Sequence, residues 1–167
     1  MARIPRLETV FEPADALIGF AATVPIIQLA HFINSLTFLN LVREEDLPVY
    51  SEKTDSLNYF KFYHYQDEDY RSDFCLVNNN SAGIMLLPTH RQFSYFLVVC
   101  GAIPGEKISR LVSQVKAISG VQLAALIKQE SIKELGPVLQ DLELHLTELK
   151  KKKNENQNRF MPAAEDQ

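Results

Sequence analysis

Residues 57–77 read LNYFKFYHYQDEDYRSDFCLV, and this stretch decides the fold class of the chain. Residues 57–66 carry aromatic side chains on both alternating faces, which predicts a strand that is covered on both sides or borders a cleft. A polar turn at 66–69 separates this strand from a second apolar strand at 70–77. Two strands joined by a short polar turn indicate a hairpin, so the sheet is expected to be antiparallel.

More strands are predicted on either side of this hairpin. They are apolar runs of strand length, bounded by turn residues, at 16–22, 84–87, 93–100 and 121–128, and a short strand or extended segment is expected at 39–43. The run 93–100 is the most apolar and is expected at the centre of the sheet. The acidic stretch 44–55 contains Pro48 and is expected to be a loop.

Helical periodicity appears three times. Pro25 lies where a first helix is expected to begin, and apolar spacing continues to about Leu36. A second amphipathic helix opens at Pro104 and is expected to end before Gly120, which suits a helix C-terminus. A third helix begins at 136–137 and carries leucines at spacings of four and three residues, as a heptad seam does. Because the seam is short, we expect it to dock on the domain or on a second copy.

The order of these elements predicts an α+β domain. It has a mainly antiparallel sheet of about five to seven strands, two amphipathic helices and a C-terminal leucine-seamed helix, with the helices mostly on one face. The predicted organisation is an N-terminal extension at 1–15, a single α+β domain at 16–149 and a basic, then polar and disordered, tail at 150–167.

Composition and charge narrow the classes of function. The chain has 167 residues, a net charge of −4 and an isoelectric point near 5.6, which suit one soluble domain and disfavour a strongly basic nucleic-acid binder. Residues 150–167 hold five basic and three acidic side chains, for a charge of +2, so residues 1–149 carry −6. We therefore expect no nucleic-acid partner for the body, while weak RNA contact through the lysine run is left open.

No stretch has the length of a membrane-spanning helix or the pattern of a signal peptide, so we expect no membrane partner. Cys75 and Cys100 both lie inside apolar runs, which favours a reduced, cytoplasmic protein. The sequence also lacks the spaced motifs of dinucleotide and phosphate loops, nucleophile elbows, zinc proteases and paired-cysteine sites. It therefore predicts no cofactor and no metal, and it leans against an enzyme without excluding one.

Two classes of function remain. The first is a non-catalytic binding or adaptor domain that contacts a protein partner, or another copy of itself, through the C-terminal helix. The residues predicted for that interface are Leu139, Leu142, Leu146, Leu149, Lys150, Lys151, Lys152 and Lys153. The alternative is an enzyme or a binder of a small anionic ligand, with a pocket between the aromatic strand and the loop after Pro88. The residues predicted for that pocket are Tyr63, His64, Tyr65, His90 and Arg91. His145 lies off the leucine seam and is expected in solvent.

The stretch Leu87-Pro88-Thr89-His90-Arg91-Gln92-Phe93-Ser94-Tyr95 resembles the signature of the uncharacterised bacterial family called IPExxxVDY. Shorter agreements are spread over residues 16–128. Thr89 stands where the family has a glutamate and Ser94 where it has an aspartate, so any chemistry of those acids is absent here. Threonine and serine can still imitate a cap and a strand-edge hydrogen bond. The resemblance implies a bacterial cytoplasmic protein and brings no assigned activity.

Overall fold

The computed structural model describes residues 15–160, except for the side chains of residues 159 and 160. The predicted extension before Asp15 and the last seven residues of the predicted tail lie outside this range. Within it the chain forms eight strands and three α-helices. In chain order they are β1 Ala16–Ala22, α1 Ile26–Leu36, β2 Val42–Ser51, β3 Ser56–Asp67, β4 Ser72–Asn78, β5 Asn80–Ser81, β6 Ile84–Met85, β7 Tyr95–Cys100, α2 Gly105–Lys116, β8 Val121–Leu126 and α3 Leu135–Phe160.

Six of these strands form one sheet in the order β2-β3-β4-β7-β1-β8. Every neighbouring pair in it is antiparallel, and β5 and β6 form a separate small ribbon. The predicted α+β class with a mainly antiparallel sheet is therefore confirmed. The aromatic strand and its hairpin partner are β3 and β4, and β7 lies in the interior of the sheet, as its apolar sequence indicates.

Helices cover both faces of the sheet. On one face α1 and α2 enclose a core around Phe20 and Phe74. On the other face α3 covers a second core that includes Phe60, Phe62 and Phe96. The expectation that the helices lie mostly on one face is wrong, because the central strands carry apolar side chains on both faces and each face needs its own cover.

The acidic stretch that was expected to be a loop is largely strand β2, at the edge of the sheet. Leu47 and Val49 point into the core under α3, which stabilises this segment as a strand despite its polar neighbours. Proline is tolerated because β2 is an edge strand, where a missing backbone donor interrupts no ladder on the outer side. Edge position is a property of the assembled sheet, so the local sequence does not reveal it.

The C-terminal helix continues to Phe160, well into the segment that was predicted to be disordered. Two lysines of the run fix this part of α3 to the acidic start of β2. Lys152 Nζ lies 2.8 Å from Glu45 Oε1, and Lys153 Nζ lies 2.9 Å from Glu44 Oε2. The polar composition suggested a free tail, but its charges match those of a neighbouring strand.

Candidate functional site

The structure does not bring together the five residues that the sequence predicts for one ligand pocket. His64 lies near the Asp73 end of β4, whereas Arg91 lines a cavity of about 290 Å³ beside Asn78 at the opposite end. Asn78 lies five steps along β4 from Asp73, or roughly 17 Å at 3.3 Å per residue. His90 stacks on Phe93 in the loop after Pro88. The single pocket predicted for these side chains is therefore not formed.

The aromatic strand divides its predicted residues between the two faces of the sheet. Tyr63 and Tyr65 face the α1–α2 core, and the guanidinium of Arg43 lies 5.7 Å from the centre of the Tyr63 ring. His64 points to the opposite face, towards α3, because successive side chains of a strand alternate. Most of this aromatic surface is core, and only the part near His64 borders a cleft.

His64 forms a polar cluster with Asp73 and Lys150 beneath α3. His64 Nε2 lies 2.8 Å from Asp73 Oδ1, and Lys150 Nζ lies 3.7 Å from Asp73 Oδ2. His64 is buried and Asp73 is mostly buried. Burial raises the pKa of the Asp73 carboxyl group, but the hydrogen bond with His64 and the charge of Lys150 outweigh it and leave that pKa below its ordinary value.

The lowered pKa of Asp73 predicts a specific dependence of stability on pH. A carboxyl group with a depressed pKa in the folded state stabilises the fold above its unfolded pKa, and this contribution is lost as the pH falls through the folded value. Asp73→Asn removes the titrating group, so we expect less loss of unfolding free energy between about pH 7 and pH 3 than in the parent. Urea unfolding at both pH values measures this. An equal loss in the parent and the variant would contradict it.

The same cluster borders a cavity under α3 with a volume of about 440 Å³. Its charged lining consists of Asp15, Asp73 and Glu143 with one lysine, Lys150, so the cavity is acidic. Burial raises the pKa of the Cys100 thiol in its wall to about 11, so this thiol is protonated at neutral pH and is a poor nucleophile. Among residues 15–160, no group of three or more histidine, cysteine or carboxylate side chains is placed to hold a metal ion.

The leucines predicted for a partner interface pack against other residues of the same chain. Leu142, Leu146 and Leu149 are buried on the sheet, and Leu139 packs against the same core. Of the two dockings that the sequence leaves open for the seam, the structure has the one on the chain's own domain. A partner would reach these leucines only if α3 left the sheet.

The lysine run is largely neutralised by the same packing. Lys150, Lys152 and Lys153 each lie within 4 Å of a carboxylate oxygen, on Asp73, Glu45 and Glu44 respectively. Lys151 is exposed. Paired lysines attract a phosphate backbone less than free ones, so this arrangement does not strengthen the prediction of RNA contact.

His145 was expected in solvent but is buried. Its Nε2 lies 2.9 Å from the backbone oxygen of Glu45, and its ring packs edge-on against Phe62. The sequence offered one signal for this role, since His145 is adjacent to the seam position Leu146. The contact matters because it covers a backbone group of β2 at the edge of the sheet.

The stretch that resembles a family signature is held by a buried asparagine. Asn79 Nδ2 donates to the backbone oxygens of His90 and Phe93, and its Oδ1 accepts from the Leu87 amide. Thr89 and Ser94, the two residues that differ from the family pattern, form hydrogen bonds within the fold. Ser94 Oγ bonds to the backbone of Ala22, and Thr89 bonds to Glu134 ahead of α3. In the sequence, the run Asn78-Asn79-Asn80 indicates only a turn.

The two edges of the six-stranded sheet differ in how they are protected. The β2 edge carries charged residues 43–46, a register shift between Glu44 and Leu47, and Pro48. It also contacts α3 through His145 and the lysines. Charge, a bulge, proline and a covering element are the devices by which natural sheets prevent pairing at an edge.

The β8 edge lacks the charge, the proline and the covering contacts of α3, although its pairing with β1 shifts register at residues 121–123. Residues 117–127 contain no charged residue and no proline, and in the described part of the chain β8 pairs with β1 alone. The Ile127 amide donates to Leu17 on β1, so Leu123, Ala125 and Ile127, which lie in the regular part of the pairing, face β1. Ala124 and Leu126 therefore direct their N–H and C=O groups outwards, and no described residue bonds to them.

Two leucines lie exposed at this same edge. Leu123 is 42% exposed and Leu126 is 52% exposed, on opposite faces of β8. An open backbone ladder flanked by exposed apolar side chains is the arrangement that accepts an additional strand. We therefore take the β8 edge as the candidate functional site.

Comparison with known proteins adds no constraint to this site. No family model, no curated protein and no solved structure matches this chain. In addition, no helix among residues 15–160 has both the length and the apolar character required to cross a membrane. The function is inferred below from the surfaces of the chain.

Proposed function

We propose that this chain is a non-catalytic protein-binding module whose contact surface is the open edge of β8. The observation that supports it is the contrast between the two edges of one sheet. Strand addition satisfies the outward N–H and C=O groups of Ala124 and Leu126 with backbone groups of the partner. It also removes Leu123 and Leu126 from water.

The polar cluster under α3 favours binding over catalysis. A hydrolase or transferase of the common type needs a nucleophile within hydrogen-bond reach of its base. His64 bonds to Asp73, as a catalytic base also can, but the neighbouring Cys100 thiol has a raised pKa that keeps it protonated. These side chains are better suited to fixing α3 on the sheet than to proton transfer.

A photo-crosslinking amino acid at Leu126 tests this proposal in the native cell. The matched control is the same substitution at Leu144, a 61% exposed leucine on the outer face of α3. We expect discrete crosslinked products from position 126 that are absent at position 144. Adding Leu123→Lys should abolish them, because an edge lysine disfavours strand pairing. The same products from both positions, or products that survive Leu123→Lys, would refute the proposal.

A small-molecule site under α3 is the second candidate. The sequence suggested an anionic ligand, but three carboxylates and one lysine line the 440 Å³ cavity, which favours a cationic group such as an amine. A thermal-shift series with polyamines and with organic phosphates distinguishes the two ligand classes. We expect stabilisation by an amine only, and we expect Glu143→Gln to abolish it. A shift with phosphates alone would favour the anionic ligand instead.

The proposed family and location rest on the sequence alone. The stretch Leu87–Tyr95 still supports kinship with the bacterial IPExxxVDY family, and the two cysteines in apolar surroundings support a cytoplasmic protein. The bonds of Thr89 and Ser94 suggest structural roles for these two positions, so their departure from the family pattern does not argue against a shared fold. Weak RNA contact through the lysine run stays a prediction.

A further inference from the structure

We infer that the cavity of about 290 Å³ beside Arg91 binds a small α-hydroxy carboxylic acid, with the carboxylate on the Arg91 guanidinium and the hydroxyl on the side chain of Asn78. This inference goes beyond the proposed function and does not depend on it. The cavity borders the ends of β4 and β7, and β1 separates β7 from β8 in the sheet, so the cavity and the β8 edge are different surfaces.

The walls of this cavity are held in place by the fold. One wall is the β5–β6 ribbon, whose Ser81 Oγ donates to the backbone oxygen of Tyr59 on β3. Another is the segment 91–95, which the buried side chain of Asn79 holds through the backbone oxygen of Phe93. The site is therefore largely formed before a ligand arrives, as sites for small molecules usually are.

The polar side chains of the lining differ in whether the fold uses them. Three of them form hydrogen bonds within the chain, which join Asn80 to Gly83, Ser94 to Ala22 and Tyr95 to Val24. By contrast, Asn78 Oδ1 is buried and has no hydrogen-bond partner among the described residues. The guanidinium of Arg91 likewise forms no hydrogen bond or ion pair with any described residue. A buried polar atom without a partner costs free energy, so Asn78 and Arg91 are the groups that a ligand would satisfy.

These two groups define the chemistry of the ligand. The planar guanidinium of Arg91 matches a carboxylate, which accepts two parallel N–H···O bonds from it. The Asn78 oxygen accepts a hydrogen bond, so the ligand needs a neutral donor such as a hydroxyl group. Because this oxygen is buried, the amide turns to meet the ligand, and the broad terminal torsion of asparagine allows this. A hydroxyl next to the carboxylate keeps both polar groups at one end of the molecule, and the remaining carbon chain packs on Met85 and Phe93.

The charge of the lining excludes other small anions. Among the described residues that line the cavity, Arg91 is the only charged one. One guanidinium balances one carboxylate, whereas a phosphate monoester carries nearly two negative charges. An α-amino acid is disfavoured because its ammonium group would lie near Arg91 without a carboxylate to pair with. An α-hydroxy acid has a neutral donor at the same position, so it meets both requirements.

Titration of the isotope-labelled full chain, followed by NMR, tests this inference with three acids on one carbon skeleton. On the carbon next to the carboxylate, α-hydroxyisocaproate carries a hydroxyl, leucine an ammonium group and isocaproate only hydrogen. We expect α-hydroxyisocaproate to shift the amide signals around Arg91, with a dissociation constant below about 10 mM. Isocaproate should bind about fivefold more weakly, because it leaves the Asn78 oxygen without a donor. Leucine should cause no saturable shift.

Two variants assign the contacts to their residues. Arg91→Gln removes the charge but keeps a polar side chain, and it should weaken the binding of α-hydroxyisocaproate about tenfold or more. Asn78→Ala should remove the preference for the hydroxy acid and leave the affinity for isocaproate unchanged, because only the hydroxyl contacts Asn78. Arg110→Gln is the control for the loss of an arginine, since Arg110 is exposed on α2 and does not line the cavity. It should leave both affinities unchanged.

Several results would overturn the inference. They are the absence of saturable binding by α-hydroxyisocaproate, equal binding by leucine, and binding that Arg91→Gln does not weaken. Shifts confined to residues under α3 would also overturn it, because they would place the acid in the other cavity. Circular dichroism establishes that the variants fold, and Arg91→Lys, which keeps the charge without the planar fork, replaces Arg91→Gln if that variant does not. None of these results alters the crosslinks expected at Leu126, so this inference and the proposed function fail separately.

Discussion

Replacing Leu142 with alanine is expected to reduce the free energy of unfolding by about 2–5 kcal/mol. Leu142 is 3% exposed and belongs to the core between α3 and the sheet, which also contains Phe60 and Phe62. The substitution removes three carbons from a packed site and leaves a cavity that the sheet cannot close. The loss should be large because α3 is the cover of an entire face, rather than an appendage that presents its seam to a partner.

Leu144→Ala is the matched control on the same helix. Leu144 is 61% exposed, and we expect its truncation to change the unfolding free energy by no more than about 0.5 kcal/mol. Chemical denaturation of both variants measures the difference. Similar small losses at the two positions would mean that α3 is not firmly docked, and the seam would again be available to a partner. For the same reason, we expect a chain that ends before Leu135 to aggregate rather than fold.

Asn79→Ala is expected to lower the free energy of unfolding by about 3 kcal/mol or more. Asn79 is fully buried, and its side chain bonds to Leu87, His90 and Phe93. Alanine leaves the Leu87 amide and the Phe93 carbonyl without these bonds, in a region where water does not easily replace them. An unsatisfied buried polar group costs more than the net value of the bond that it lost.

The control for Asn79 is Asn40→Ala. Asn40 is exposed, and no hydrogen bond of its side chain is present among the described residues. We expect a change within about 0.5 kcal/mol there. If Asn79→Ala is equally mild, the 3₁₀ turn at Pro88–His90 and the packing of Phe93 hold this loop, and Asn79 does not.

Local patterns predicted the elements that have strong local signals. The bounds of β1 match the apolar run 16–22, and α1 ends at Leu36 as its periodicity indicated. Strand β2 was missed because Pro48 and three consecutive acids resemble a loop. They are compatible with a strand only at an edge, next to the lysines of α3. The helix over residues 154–160 was not predicted, because a polar composition does not show that the residues before it are held on the sheet.

The candidate site was less predictable than the fold. His64, His90 and Arg91 were grouped because their residue types suit an anionic ligand, but strand register keeps them apart. The leucine seam showed that α3 buries one stripe, but periodicity does not say what covers that stripe. The edge status of β8 was also hidden, because an uncharged apolar run is equally typical of a central strand. Only the strand order shows that this run has one unpaired side.

Amide hydrogen exchange of β8, measured by NMR on dilute protein, tests most directly that this edge is open. Leu123, Ala125 and Ile127 face β1, so their amides should exchange slowly. The amides of Ala124 and Leu126 point outwards and should exchange rapidly. Protection of these two amides as strong as that of their neighbours would show that the edge is already covered and would contradict the account.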